Sequence, residues 1–382
     1  MKITILSHNI SSNAVMRAHR LAVAARTFAE ATLLGPVEPT GPWPALPSEP
    51  WIKTVEEKRF PRFFLSFNEL VASTDGDALI AVKPHLASFG AALVAAELKQ
   101  VPVILDLDDL DIALSPRSEW IRKPSMNDLR RPASSVYLSL LTKAAPAASA
   151  ITVASTALQR RFGGTRIPHG CLTDLFNPVA IDREEVRRAF GMIAPTVLFA
   201  GTPREHKGLK VLTEAVNSIP GASLAVLCRP QDLKESYWQQ PHLLRIPMMP
   251  YQLLHKVLAA ADVIAVPQLD SEAARHQMPM KVYDCMAMAR PIVASAVSDL
   301  PNALEGCGRI VPPGDSAQLA AAISNLLDNP AEAQALGQKA RSRCLERYSI
   351  ARIGKSLQSV ILPLMANSGC EMPTTTLNER PD

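Results

Sequence analysis

The stretch VLFAGTPREHKGLKVLTEAV, residues 197–216, runs from an apolar segment of strand length through a polar loop into a segment of helical period. Ligands of doubly wound sheets sit at such strand ends, in the crevice beyond the carboxyl edge. Within the loop Arg204 and Lys207 stand three residues apart, beside the free N–H groups that open the next helix. Cationic side chains and helix-terminal N–H groups both attract phosphate oxygens, so the combination suits a diphosphate. Taken alone, the pair reads first as solvated surface charge, and the surrounding pattern has to decide.

Outward from that stretch, short aliphatic or β-branched runs alternate with segments of helical period, the pattern of a parallel sheet wrapped by helices. In the second half, strands are expected at residues 196–200, 224–228, 244–246, 263–266, 292–294 and 309–311. In the first half they are expected at 2–6, 31–34, 78–82, 103–106 and 150–153, with helices including 14–28 and 88–99. Two Rossmann-like sheets in series account for this order, an α/β architecture. The segment IPHGCLTDLFNP, residues 167–178, is rich in turn-forming residues and reads as the linker. It separates an N-terminal domain, 1–170, from a C-terminal domain, 175–349. Residues 332–349 and 350–366 both have helical period, the second expected to pack back on the N-terminal domain, and the polar tail 367–382 is expected to be disordered.

Composition narrows the classes. The 382 residues are 47% hydrophobic and 20% charged, which excludes a fibre or a disordered chain and is long enough for two cores. A formal charge of +4 is too small to make nucleic acid the main partner. The six cysteines form no CxxC pair and no zinc spacing with histidine, which reads as a reducing, cytoplasmic setting. The opening MKITILSHN has an apolar run of strand length rather than the longer one of a signal peptide. The longest apolar window, 134–158, contains Lys143 and Pro146 and reads as a core helix, a loop and a strand.

A second strand, loop, helix and strand unit follows at 266–295, VPQLDSEAARHQMPMKVYDCMAMARPIVAS. Pro279 suits a first helical position, where its missing N–H would be unpaired anyway. Lys281 then lies in the first turn. A cation beside the positive helix end is unfavourable by a few tenths of a kcal/mol, roughly, and makes better sense with an anion bound there. Asp284 falls one turn on, on the same face, placed for a ribose hydroxyl pair, or else a plain surface acid or a partner of Lys281.

Together GTPREHKG (201–208), PMKVYDCMAMARPIVAS (279–295), RIVPPGD (309–315) with its helix AQLAAAISNLLDNP (317–330), and the 167–178 linker resemble the family-4 glycosyltransferases of GT-B fold. DALIAVKPHLASFGAALVAA (77–96) and VPVILDLDD (101–109) resemble family segments more loosely. The resemblance implies two Rossmann-like domains facing a central cleft, and transfer of a sugar from a nucleotide-diphosphate sugar with retention. It implies that Lys207 holds the donor diphosphate. The arginine usual after the strand-end Gly201 is Thr202 here, and Arg204 substitutes from two residues further on. Asp284 matches the ribose-binding glutamate, and His276 stands where a first glutamate faces the donor sugar. The implied catalytic set is Arg204, Lys207 and His276, with donor contacts from Gly201, Thr202, Lys281, Val282 and Asp284. Ala289 stands where the family usually has glycine at a helix end.

On the N-terminal side Asp108 stands where a histidine often contacts the donor sugar, flanked by Asp106 and Asp109. At this spacing the acids read as caps of the following segment or as a magnesium site. GT-B enzymes of this kind neutralise the leaving diphosphate with basic side chains, so no metal and no cofactor is expected. His8 and Asn9 follow the first strand, His8 as a candidate proton shuttle or a bonded loop residue, and Arg17 on the next helix is placed to reach an acidic acceptor. The expected acceptor is a glycan, a lipid-linked sugar or a small molecule. KRFPRFF (58–64) mixes basic and aromatic residues as a peripheral membrane contact does, or packs its phenylalanines inward, and a basic stretch with Trp120 follows at 117–131. Other readings are a GT-B nucleotide-sugar epimerase and, because of His276, a weakly catalytic homologue serving as a partner subunit.

Overall fold

The computed structural model describes residues 1–114, 125–199, 201, 203–233, 240 and 242–367. The first sheet contains β1 (Lys2–Ser7), β2 (Glu30–Val37), β3 (Ile52–Glu56), β4 (Ala78–Val82), β5 (Val103–Leu107), β6 (Ala150–Val153) and β7 (Thr165–Arg166). The second contains β8 (Thr196–Phe199), β9 (Ser223–Cys228), β10 (Leu243–Pro247), β11 (Val263–Val266), β12 (Ile292–Ser295) and β13 (Arg309–Val311). All pairings are parallel, in the orders β3-β2-β1-β4-β5-β6-β7 and β10-β9-β8-β11-β12-β13. In each sheet the strand order reverses beside the strand that opens it, at β1/β4 and at β8/β11. Loops leaving the carboxyl ends of those strands part to opposite sides, and ligand crevices form there.

Central strands bury nearly every residue, which is why they are legible as apolar runs: β4 and β5 are buried throughout. The edges β3 and β7 lie beyond the expected strands. Their sequences, IKTVE and TR, are mostly exposed and carry no apolar run. The helix expected at 14–28 is α1 (Val15–Ala25), and the one expected at 88–99 begins as a wide turn at Leu86–Gly90 before Ala91–Lys99. The apolar window 134–158 contains the helix Ser135–Lys143 and then β6. Among the described residues no helix is long and apolar enough to cross a membrane.

The remaining helices that matter are α2 (Leu209–Asn217), α3 (Glu272–His276), α4 (Lys281–Ala287), α5 (Pro330–Arg347) and α6 (Ile350–Asn367). The chain passes between the sheets twice, and the two passages run side by side. Cys171 N–H donates to the Tyr348 carbonyl at 2.7 Å, and Ile350 N–H donates to the Cys171 carbonyl at 3.0 Å. α6 then returns to lie against α1, where Gly354 brings the two backbones so close that a Cβ would meet Thr27 and the Ala24 carbonyl. Ala289 has φ 53°, the left-handed conformation for which glycine is usual, at a cost of about 1 kcal/mol. Residues 368–382, expected to be disordered, and most of the basic stretch with Trp120 lie outside the described residues.

Candidate functional site

The loops from the two reversal points face each other across a cavity of about 430 Å³. Its C-terminal wall is built from the loop after β8 and the start of α4. The loop carries Gly201, Arg204 and the short turn Glu205–Lys207, then Gly208, which has φ 72°. A Cβ on Gly208 would run into the Pro267 carbonyl, so only glycine lets the turn close against the loop that follows β11. Ser271 caps α3 by accepting from Ala274 N–H, and Met278 to Lys281 then complete that wall.

Three cations therefore stand together: Arg204 exposed, Lys207 partly buried and Lys281 beside it. Burial lowers Lys207 to about 8, with Asp109 opposing the effect and the repulsion of Arg204 and Lys281 adding to it. Lys281 is lowered too, again first by burial. Ammonium groups held so uncomfortably favour an anion that restores their charge. Lys207 Nζ donates to Gln277 Oε1, and Gln277 Nε2 donates to Asp109 Oδ1 at 2.6 Å, so the cationic wall is tied across the cleft to the acidic one.

The N-terminal wall centres on Lys83, which follows β4 with φ 68°. Its ammonium lies 3.2 Å from Asp108, 2.9 Å from Asp109 and 2.7 Å from Asp111. Burial raises Asp108 to about 7, with Asp109 and Asp111 adding to the effect and Lys83 opposing it. Against the upward push of burial, Lys83 and its hydrogen bond hold Asp109 well below the usual carboxylate range. His8 stacks on His85 with ring centroids 4.2 Å apart, and burial, His85 and Lys83 keep it neutral near pH 7. Among the described residues no three His, Cys, Asp or Glu side chains are arranged to hold a metal ion.

Of the residues singled out in the sequence, the structure brings His8, Arg17, Asp108, Gly201, Arg204, Lys207, Lys281 and Asp284 to this one cavity. Thr202 lies outside the described residues. Four of the singled-out residues are placed as follows. His276 is not part of the wall: its Nδ1 lies 2.8 Å from the Glu272 carbonyl, the end of α3 turning the ring aside, and Gln277 lines the cavity in its stead. Val282 is fully buried in the packing of α4. Asn9 is taken up by its own loop, donating to Glu38 Oε1 at 2.8 Å and accepting from Ser11 N–H at 2.6 Å.

Arg17, the fourth, is not free for an acceptor. It is 1% exposed, and its Nε and Nη2 each donate to Asp106 at 2.8 Å, while Thr152 Oγ1 donates to the same carboxylate at 2.6 Å. Sequence reasoning missed Arg20, Lys83, Tyr251 and Gln277, all of which line the cavity. Their partners lie 25 to 264 residues away, and no local pattern marks them.

Two doubly wound sheets whose reversal points share one cleft make up the GT-B fold. Residues 194–329 match the family model described as Glycosyl transferases group 1. The chain is 24% identical over 276 residues to a putative teichuronic acid biosynthesis glycosyltransferase, TuaC, of Bacillus subtilis, covering 70% of this chain and 60% of that protein. It is 35% identical over 99 residues to the MMP alpha-(1->4)-mannosyltransferase of Mycolicibacterium hassiacum, covering 25% of this chain and 23% of that one. The chain thus spans less than two thirds of the length of either relative. In fold it resembles sucrose-phosphate synthase from Thermosynechococcus elongatus, with TM-score 0.72, 20% identity and coverage of 96% and 100% of the two chains. It also resembles Anabaena HepE in complex with UDP-glucose, with TM-score 0.72, 16% identity and coverage of 94% and 99%.

Proposed function

We propose that this chain is a retaining glycosyltransferase that moves a sugar from a nucleotide-diphosphate sugar to a glycan, lipid-linked or small-molecule acceptor in the cytoplasm. The observation that carries the reading is the convergence of Arg204, Lys207 and Lys281 on one wall of an interdomain cavity. In a partly desolvated site these cations stabilise the negative charge that grows on the leaving diphosphate, the step in which such enzymes find most of their rate. Arg204 and Lys207 act on the phosphates, Asp284 on the ribose, and no metal takes part. A transferase of this kind binds nucleoside diphosphates, the product its donor leaves behind.

Calorimetry with uridine, guanosine and adenosine diphosphates tests the reading, and failure of all three to bind would refute it. The pH dependence carries a sign. Lys207 must be an ammonium to hold the phosphates and titrates near 8 in the free protein. Affinity should be level below that value and fall by up to about tenfold per pH unit above it, as each binding event must first take up a proton. Affinity that stays level from pH 7 to about 9.5 would remove Lys207 from the site.

The acceptor end of the proposal includes a peripheral membrane contact. Phe60 and Phe64 are 43% and 53% exposed and Leu65 is 57% exposed, while only Phe63 turns inward. Arg59 and Arg62 are exposed beside them, and Arg130 lies over the Phe60 ring at 5.9 Å, so a second basic segment shares the patch. Apolar tips in a basic rim suit an anionic bilayer surface. Flotation with phosphatidylglycerol vesicles is the measurement. Phe60→Ser with Phe64→Ser should reduce bound protein about tenfold or more, and equal flotation of variant and parent would refute the contact.

A further inference from the structure

Arg20 belongs to α1 in the N-terminal half, yet its guanidinium ends in the wall of the cavity beside α4. Nη2 donates to Asp284 Oδ1 at 2.9 Å, to Asp284 Oδ2 at 2.7 Å and to the Tyr251 hydroxyl at 2.8 Å. Nη1 donates to the Gly170 carbonyl of the linker. The Tyr251 hydroxyl donates in turn to Asp284 Oδ1 at 3.2 Å. Arg20, Tyr251 and Asp284 are 2%, 5% and 0% exposed. One ion pair therefore joins the two halves of the molecule through the residue placed for the ribose.

Stability gives no reason for such a pair. Two charges taken out of water are seldom better than apolar side chains of the same volume. A carboxylate offers about four acceptor sites. On Asp284, Arg20 and Tyr251 fill both sites of Oδ1, and Arg20 fills one of Oδ2. One more hydrogen bond could be accepted at Oδ2, and Asp284, though 0% exposed, borders the cavity. Nη2 alone bridges both carboxylate oxygens while Nη1 is anchored on the Gly170 carbonyl, so the guanidinium is held at two separate points, which a single-point ammonium would not be.

We propose that Arg20 is the positioning residue for ribose recognition: it holds the Asp284 carboxylate so that its remaining acceptor site meets a ribose hydroxyl of the donor. The affinity for nucleotide then depends on a residue of the opposite lobe, and donor binding and approach of the lobes are one event. This rests on the donor-site reading given above.

The test compares a nucleoside diphosphate with its 2′,3′-dideoxy form by calorimetry, on the full-length protein and on Arg20→Lys. The parent should prefer the ribose form about tenfold or more, the scale of a hydrogen bond to a charged group. In Arg20→Lys that preference should shrink to within about twofold while the dideoxy form keeps its affinity within about threefold, because its diphosphate contacts are untouched. A preference that survives Arg20→Lys, or an equal loss for both ligands, overturns the proposal. If Arg20→Lys does not fold, Arg20→Gln with Asp284→Asn removes both charges together, and a preference surviving there overturns it equally. A parent that binds both forms alike overturns the role of Arg20 and leaves the donor site standing, whereas a parent that binds neither overturns both.

Discussion

Lys207→Ala should lower the rate of sugar transfer by about 10²–10³-fold, the range found when one donor to a developing oxyanion is removed. The size follows from where the ammonium sits. It is partly buried between Arg204, Lys281 and Gln277, away from the solvent that would otherwise screen it. Arg204 is exposed and takes over little of its work. Folding should be almost unaffected, because the free protein already holds this cation at a cost, with its titration lowered to about 8. Release of nucleoside diphosphate measures the rate, and thermal melting checks the fold. Lys210→Ala, an exposed lysine on α2, serves as the control and should stay within about twofold. A Lys207→Ala protein as active as its parent would move the diphosphate elsewhere.

Asp106→Ala should cost about 3–5 kcal/mol of stability, the scale for leaving one member of a buried ion pair without its partner. Asp106 and Arg17 are 0% and 1% exposed, and the carboxylate accepts from Arg17 Nε, Arg17 Nη2 and Thr152 Oγ1. Arg17 also donates to the carbonyls of Ile167 at 2.9 Å and Pro168 at 3.1 Å, so the network fastens β5, β6, α1 and the start of the linker at one point. Urea unfolding measures the loss. Replacing both partners with apolar residues, Arg17→Met and Asp106→Leu, should recover most of it, because the cost lies in the orphaned charge. A single Asp106→Ala within about 0.5 kcal/mol of the parent would show that Arg17 finds water in the absence of its carboxylate.

Residues whose roles are set by their immediate neighbours could be read from the chain. The central strands were legible because burial on both faces leaves unbroken apolar runs such as ALIAV in β4 and VIAV in β11. The loop after β8 was legible because a strand-end glycine followed by spaced cations has a physical meaning within eight residues. The edge strands β3 and β7 were not, since half-exposed strands carry mixed residues. Arg17 and Arg20 look alike in sequence, two arginines on one helix, and of the two only Arg17 was singled out, as a contact for an acidic acceptor. Their burial depends on Asp106, 89 residues on, and Asp284, 264 residues on. The orientation of His276 was not legible either. The spacing to Asp284 is right, but the last turn of α3 directs its ring back toward Glu272 and leaves the cavity to Gln277.

The paired passages between the sheets bear on how the molecule moves. A single strap would let one lobe swivel and twist freely against the other. Two straps laid together, pinned at Cys171 to Tyr348 and Ile350, resist such twisting. The two sheets are thus joined at one place by two segments rather than by one, so any change in their angle has to carry both passages with it.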